Sequence, residues 1–425
     1  MNNSCASSLH FSDTLPTLEH DEEILLNHIR DSGAISKFEL VDRTGFSRSK
    51  INLRIESLVK KEFIKEVGAG DYTGGRRSVQ FSLNGSMGLI LGADIGATSI
   101  DLLISNLSGE ALARYSEPAL VSKGPNVILD RVCDLFEQMI EKDGLGSHKV
   151  LGIGIGVPGP VNFRLGILVS PPIMPGWDEF PIIPYIRNRF PDTIVVVDND
   201  VNIMALGEHV KGVGVGVDNL IFVKIGTGIG AGIICDGKIF RGTDGCAGDI
   251  GHICVDQNGP ICTCGNRGCL ESLAGGRAIA LRATQAVKNG EATILKKYLE
   301  NRTSSLTCED VGNAAKEGDT YAIELIRDSG QFIGEVLAGL VNFSNPEMIV
   351  IGGGGSKLGN VLLTSIRRMV LKRSLPLATR NLNIMLSAIS DDVGVWGAVN
   401  LALNLILSSN KPARISTQHP EAIFR

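Results

Sequence analysis

The sequence predicts an α/β protein in which a small helical module precedes a larger, internally duplicated body. Three observations carry that reading. Apolar runs ending in short glycine clusters recur along a chain with 51 glycines in 425 residues. One strand–Gly turn–strand pattern, residues 88–110, returns at 219–239. Residues 20–64 instead carry apolar residues at helical spacing. The length suffices for two or three domains, each burying its own core.

The formal net charge of −5 argues against a wholly basic nucleic-acid binder. Charge is unevenly placed, however. Residues 1–46 hold three Lys/Arg against eight Asp/Glu, and residues 47–77 hold eight against four, a candidate anion-binding face. The start "MNNSCASSLH" lacks the pattern of a secretion signal. The longest apolar stretch, 393–407, is too short to span a bilayer comfortably and predicts a buried helix. Nine cysteines do not form a disulfide framework in such a chain, and the expected compartment is the cytoplasm, with no membrane partner.

Residues 20–33 predict a first helix, with Ile24, Leu25 and Ile29 at helical spacing. Ser36 and Glu39 have the spacing of a capping box for a second, short helix that ends at Thr44-Gly45. Ser47 is a good N-cap for a third, whose inner face holds Ile51, Ile55, Leu58 and Val59. Two strands joined by a Gly-rich loop follow, up to Asn84. Helix, short helix, glycine turn, helix and hairpin together predict a winged helix-turn-helix over 1–85. The third helix would present Arg48, Ser49, Lys50 and Asn52 to base edges of duplex DNA. Arg54, Lys60 and the wing residues Arg76 and Arg77 would serve phosphates.

The body is expected over 86–408, in two lobes divided near residue 200, with a disordered tail at 409–425. Its two hairpin turns offer backbone N–H groups unobstructed by side chains, as phosphate oxygens require. "MIVIGGGGS" (348–356) adds a third such turn. Asp94 on the first hairpin is placed to hold Mg²⁺ through water, and Thr98 to reach a phosphate. Ile194–Val197 predicts a buried strand, with Asp198-Asn199-Asp200 at its C-terminal end, where open α/β sheets bind ligands. A carboxylate there can take a proton from a hydroxyl, or either aspartate can cap the following helix. The loop "GVPGPVN" (156–162), with Gly159, is placed to close over a polyol.

The most specific stretch is "GDIGHICVDQNGPICTCGNRGCLES" (248–272). His252, Cys262, Cys264 and Cys269 supply four ligands of the kind zinc prefers and leave no open position, so the metal is structural. Cys254 is a rival ligand, and Cys246 a poorer one. Asp249 and Glu271 bracket the cluster, so a zinc-pinned loop would fix acceptors for sugar hydroxyls, and His252 has a second ring nitrogen to offer the ligand.

From these motifs the chain resembles the ROK family of repressors and sugar kinases over about 20–408, in its branch with an N-terminal winged helix. The resemblance implies a duplicated actin-like ATPase fold with an inserted zinc loop, and the four zinc ligands just named. It implies sugar contacts from Asn199, Asp200, Asp249, His252 and Glu271, with Asp200 as the general base in a kinase. Asp94, Gly96, Thr98, Gly226, Thr227, Gly228, Gly230, Gly352, Gly353 and Gly354 correspond to the elements that hold ATP and Mg²⁺. The chain departs from the kinase pattern at "DIGATS", where Ala97 and Ser99 stand for Gly and Lys, at Asp249 in place of Glu, and at Ile173 in place of Asn. The expectation is a sugar-responsive regulator, a repressor binding a double-stranded operator as a homodimer or homotetramer. The competing one is an ATP-dependent sugar kinase with a fused DNA-binding head.

Overall fold

A computed structural model describes residues 15–69, 78–291, 294–300, 305–389 and 391–410. The N-terminal unit has three helices, α1 (His20–Ser32), α2 (Lys37–Thr44) and α3 (Arg48–Lys60). Strands β1 (Ile35–Ser36), β2 (Ile64–Ala69) and β3 (Val79–Leu83) pair in the order β1-β3-β2. The Ser36–Glu39 capping box starts α2, and Gly45, in the left-handed region, ends it. Arg76 and Arg77 lie outside the described residues.

The body holds two five-stranded sheets of the same plan. The first comprises β4 (Leu89–Ile95), β5 (Ser99–Asn106), β6 (Ala111–Pro118), β7 (Val150–Val157) and β10 (Ile194–Asn199). The second comprises β11 (Leu220–Ile225), β12 (Ile229–Cys235), β13 (Lys238–Phe240), β14 (Met348–Gly352) and β15 (Asn383–Leu386). In each, an antiparallel three-stranded meander is extended by two parallel strands: β6-β5-β4-β7-β10 and β13-β12-β11-β14-β15. The recurring hairpin seen in the sequence is thus the first pair of each meander. A short pair, β8 (Val161–Asn162) and β9 (Ile167–Leu168), follows β7.

Helices α4 (Pro125–Lys142) and α5 (Ile182–Arg187) belong to the first half. Between the sheets' inner faces lie α6 (Asp200–Lys211) and α14 (Val393–Ile406). The outer layer of the second half contains α7 (Leu270–Ala274), α8 (Gly276–Lys288), α9 (Ile294–Glu300), α10 (Cys308–Lys316), α11 (Thr320–Ser344), α12 (Gly359–Arg373) and α13 (Pro376–Thr379).

Two boundaries differ from the sequence reading. The division near residue 200 does not hold for the last helix: α14 packs on β4, β5 and β7 of the first sheet, while α6 packs on β11 and β12 of the second. The two helices cross in direct backbone contact. A Cβ on Gly207 would collide with the Val393 carbonyl, and one on Gly397 with that of Ile203. The apolar run of α14 marks it as buried without saying which sheet it covers. The tail boundary also moves, because Ser409 hydrogen-bonds Glu23 of α1 through its N–H and its hydroxyl. The rest of the predicted tail, 411–425, lies outside the described residues.

The N-terminal unit does not stand apart from this arrangement. Leu25, Leu26 and Ile29 of α1 belong to the same buried apolar cluster as Leu403 and Ile406 of α14 and Val201 and Met204 of α6.

Candidate functional site

The site forms where α6, the glycine turn between β11 and β12, and the cysteine-rich loop meet. Asn199 ends β10 in an extended conformation, and its side-chain oxygen accepts from the Val201 N–H. The N-cap of α6 is therefore Asn199, not Asp198 or Asp200. Its backbone already has the β-region geometry that an N-cap needs, whereas Asp200 is inside the helix. The Asn199 amide also donates to the Gly159 carbonyl at 2.8 Å, which ties the 156–162 loop to the start of α6.

The two aspartates beside it have separate partners. Asp198 accepts from the Asn199 N–H and the Asn202 amide, and its other oxygen meets Arg241 at 2.8 Å. The Arg241 guanidinium lies over the Phe163 ring at 3.8 Å. Asp198 is thus an internal anchor. Asp200 is 4% exposed, and its Oδ2 accepts from Lys224 Nζ at 2.5 Å. Neither Arg241 nor Lys224 figures in the sequence reading. For Lys224 a signal existed, since it is the one charge in the buried strand "LIFVKI".

Lys224 pairs in register with Gly230 of β12 on one side and Gly352 of β14 on the other. Two of the three predicted glycine turns therefore flank one lysine. Burial opposes its charge, but the carboxylates of Asp200 and Asp94 outweigh that and raise its pKa above the ordinary value. Asp94, at the end of β4, has a buried Oδ1 without a hydrogen-bond partner among the described residues. Burial pushes its pKa up to about 7, with Lys224 pulling down and Asp200 and Asp101 pushing up. Its other oxygen lies against Gly394 at the start of α14, where a Cβ would strike it. In the first turn, the Gly96 N–H donates to the Ser99 carbonyl and Thr98 is exposed.

Glu271 joins the second turn to the cysteine-rich loop. Its Oε2 accepts from the Ile229 N–H at 3.2 Å, and it fills the space beside Gly228 where a Cβ would stand. The turn itself closes through Gly226 N–H to the Gly228 carbonyl, and Thr227 accepts from Arg277 through its carbonyl. Gly354 has open space around it.

His252, Cys262, Cys264 and Cys269 come together, with one ligand atom from each lying within 4.8 Å of all the others. Cys262 Sγ is 3.6 Å from His252 Nδ1, and Cys264 Sγ is 3.7 Å from Cys269 Sγ. Those separations match the edges of a tetrahedron with metal bonds of about 2.0–2.3 Å. The cluster is thus one that can hold a metal ion. Cys254 is exposed and outside the group, as is Cys246. With Nδ1 turned to the sulfurs, His252 Nε2 faces Asp249 Oδ1 at 3.8 Å.

At the other end of the chain, Arg48, Ser49 and Asn52 are exposed on the first turns of α3. Lys50 is paired with Asp21 at 2.9 Å and lies over the Phe46 ring. Arg54 is paired with Glu19 at 2.7 Å and Asp21 at 3.6 Å. Two of the predicted DNA contacts are therefore engaged by acids of, or next to, α1.

Two sheets of one topology, helices crossing between them and a polar site at the glycine turns define a sugar-kinase-like α/β architecture. The chain belongs to the ROK family, whose sequence model it matches over residues 90–404. It is 32% identical to the xylose repressor of Caldicellulosiruptor bescii over 386 residues, 91% of this chain and 96% of that protein. Among solved structures, a ROK family transcriptional regulator described as a homologue of the Escherichia coli MLC protein superposes with a TM-score of 0.79 at 26% identity. That match covers 93% of this chain and 98% of the other. A ROK family glucokinase from Streptomyces griseus, solved with glucose and AMPPNP, superposes with a TM-score of 0.66 at 30% identity, covering 74% of this chain and 99% of that one.

Proposed function

We propose that the chain is a sugar-responsive transcriptional regulator, a repressor of carbohydrate-utilisation genes, whose hold on DNA is changed by a monosaccharide bound in the cleft. The N-terminal unit is its winged helix-turn-helix head, with α3 entering the major groove by its N-terminal turns. Full-length similarity to a xylose repressor and to a ROK transcriptional regulator supports the head as well as the body.

The observation that carries the coupling is α14. It begins against Asp94 in the cleft, crosses α6 in backbone contact, and ends on the head. There the Asn404 amide oxygen accepts from Arg30 of α1 at 2.7 Å, and Ser409 donates to Glu23. A ligand that alters how α6 and α14 meet therefore shifts the helix against which the reading head is packed. Beside it, a cleft of about 580 Å³ separates the head from the first half of the body, lined by Arg30 and Lys65 on one side and Glu110 and His148 on the other. For the equilibrium to move, the sugar must bind the two arrangements with different affinity.

In this reading the sugar takes Asp200, Asp249, Glu271 and the free amide hydrogen of Asn199 as hydroxyl partners, with His252 Nε2 beside Asp249. Zinc would be held by His252, Cys262, Cys264 and Cys269. Bound there, the ion would neutralise crowded thiolates and brace the loop that carries Asp249 and Glu271. The head pairs with a double-stranded operator, and two copies would present two heads to a two-fold site. A thermal-shift screen of monosaccharides tests the cleft. The expected result is stabilisation by a small set of sugars that is lost in Asp200→Ala, and a flat response across the panel contradicts the reading.

The competing reading, an active ATP-dependent sugar kinase with Asp200 as general base, draws on the similarity to the glucokinase. It meets an obstacle in the chain's own residues, taken up next.

A further inference from the structure

The family resemblance implies magnesium nucleotide over the glycine turns, and the residues here do not fit that group. The glycines are present, but beside Gly226 and Gly353 the space is already used by Lys224. Lys224 Cγ is 3.2 Å from the point where a Cβ on Gly353 would stand, and its Cε is 3.5 Å from the corresponding point at Gly226. Its ammonium ends on Asp200, the carboxylate that a kinase needs as a free base. Asp94, the other side chain suited to a divalent cation, lies in the field of the same ammonium, and burial pushes its pKa up to about 7, which disfavours the charged form a cation needs. One lysine thus runs past two phosphate-type turns and ends its positive charge on Asp200.

We infer that Lys224 is a resident cation that excludes magnesium nucleotide from the cleft and leaves it a receptor for an uncharged monosaccharide. The inference rests on the sensor reading above and deepens it by assigning the residue that separates sensing from phosphoryl transfer. The physical reason is charge. Asp200 neutralises the ammonium, which leaves no net positive field for a triphosphate, while a magnesium ion brought to Asp200 would meet the ammonium at short range. A neutral polyol suffers neither conflict, because its hydroxyls can donate to Asp200 while the lysine remains paired. Mobility of the lysine does not rescue nucleotide binding, since leaving Asp200 would strand a carboxylate that is 4% exposed.

The test compares the full-length protein with Lys224→Ser and Lys224→Met. Serine removes stem and charge together. Methionine keeps the stem's packing and removes the charge alone, which protects the comparison if the serine variant folds poorly. Binding of Mg²⁺–AMPPNP is measured by calorimetry with and without a panel of monosaccharides, and cooperative thermal melting confirms that each protein is folded. The expected result is no measurable nucleotide binding by the parent chain and a gain of at least about tenfold in affinity in one or both variants. Equal nucleotide affinity in the parent and both variants, whether strong or absent, overturns the inference. DNA retardation on the same preparations separates this failure from failure of the sensor reading. A parent protein whose DNA binding ignores every sugar refutes the sensor and says nothing of Lys224, whereas equal nucleotide affinities refute the role of Lys224 and leave the sensor intact.

Discussion

Arg30 of α1 donates to the Asn404 side chain near the end of α14 at 2.7 Å, a direct polar tie between the head and the helix that begins at Asp94. Asn404 in turn donates to Asn400 one turn earlier. If this tie carries the signal, Asn404→Ala should leave sugar affinity intact and shrink the sugar-induced change in DNA affinity. The loss should be on the order of 1 kcal/mol of coupling, as for one solvent-exposed hydrogen bond. Anisotropy titrations of labelled operator with and without sugar measure it, and an unchanged ratio removes the contact from the route.

Cys269 is fully buried and its sulfur lies among those of Cys262 and Cys264. Cys269→Ser is expected to lose stoichiometric zinc, to lower the melting temperature, and to weaken sugar binding about 10- to 100-fold through the freed Asp249–Glu271 loop. Elemental analysis with thermal-shift titration reads all three. Normal zinc content in the variant would point to another ligand set.

Arg48 is exposed at the first position of α3, and Lys60 is exposed at its end. Arg48→Ala should cost about 1–3 kcal/mol on the preferred operator and relax base preference at one position. Lys60→Ala should weaken all sequences alike and flatten the salt dependence by roughly one ion. Lys50 and Arg54 behave differently from free contacts because Asp21 and Glu19 hold them. Asp21→Asn should release Lys50 and strengthen binding to any duplex, a result read by retardation at two salt concentrations.

Asp94 provides a pH signature. Its carboxyl is raised from 3.8 to about 7, so the folded state keeps a proton that the unfolded chain gives up. Stability therefore falls as pH rises from about 4 to about 7 and levels off above that. Lys224, which faces Asp94, pulls against this shift, whereas Asp200 and Asp101 reinforce it. Asp94→Asn should remove the slope, so that the variant gains on the parent chain as pH rises through that window. Parallel melting curves across pH 4–8 would show no such divergence if the carboxyl titrates normally.

Much of the architecture was legible because local rules and tertiary packing agree in this chain. The capping box at Ser36–Glu39, the paired hairpins and the polar triplet after Ile194–Val197 each follow from backbone chemistry acting over a few residues. The cysteine spacing was legible for the same reason, as ligands on one short loop can meet without help from distant elements. What escaped depends on contacts remote in sequence. No periodicity tells that α14 returns to the first sheet, because both α6 and α14 are buried on nearly every face. The cap of α6 was misassigned because three successive polar residues can each serve, and only the backbone angles at Asn199 decide. Lys224 is not legible as a site residue because one charge in an apolar strand does not name its partner, and Asp200 lies 24 positions away.

The central claim is that a sugar in the body alters the grip of the head on DNA. Equilibrium binding of the purified protein to fragments of its own upstream region, at moderate salt and with and without the sugar found in the thermal-shift screen, tests this most directly. The account predicts binding to one fragment at least about a thousandfold tighter than to random duplex, weakened when the sugar is added. Equal affinity for all fragments, or a specific complex indifferent to every sugar that binds the cleft, would contradict it.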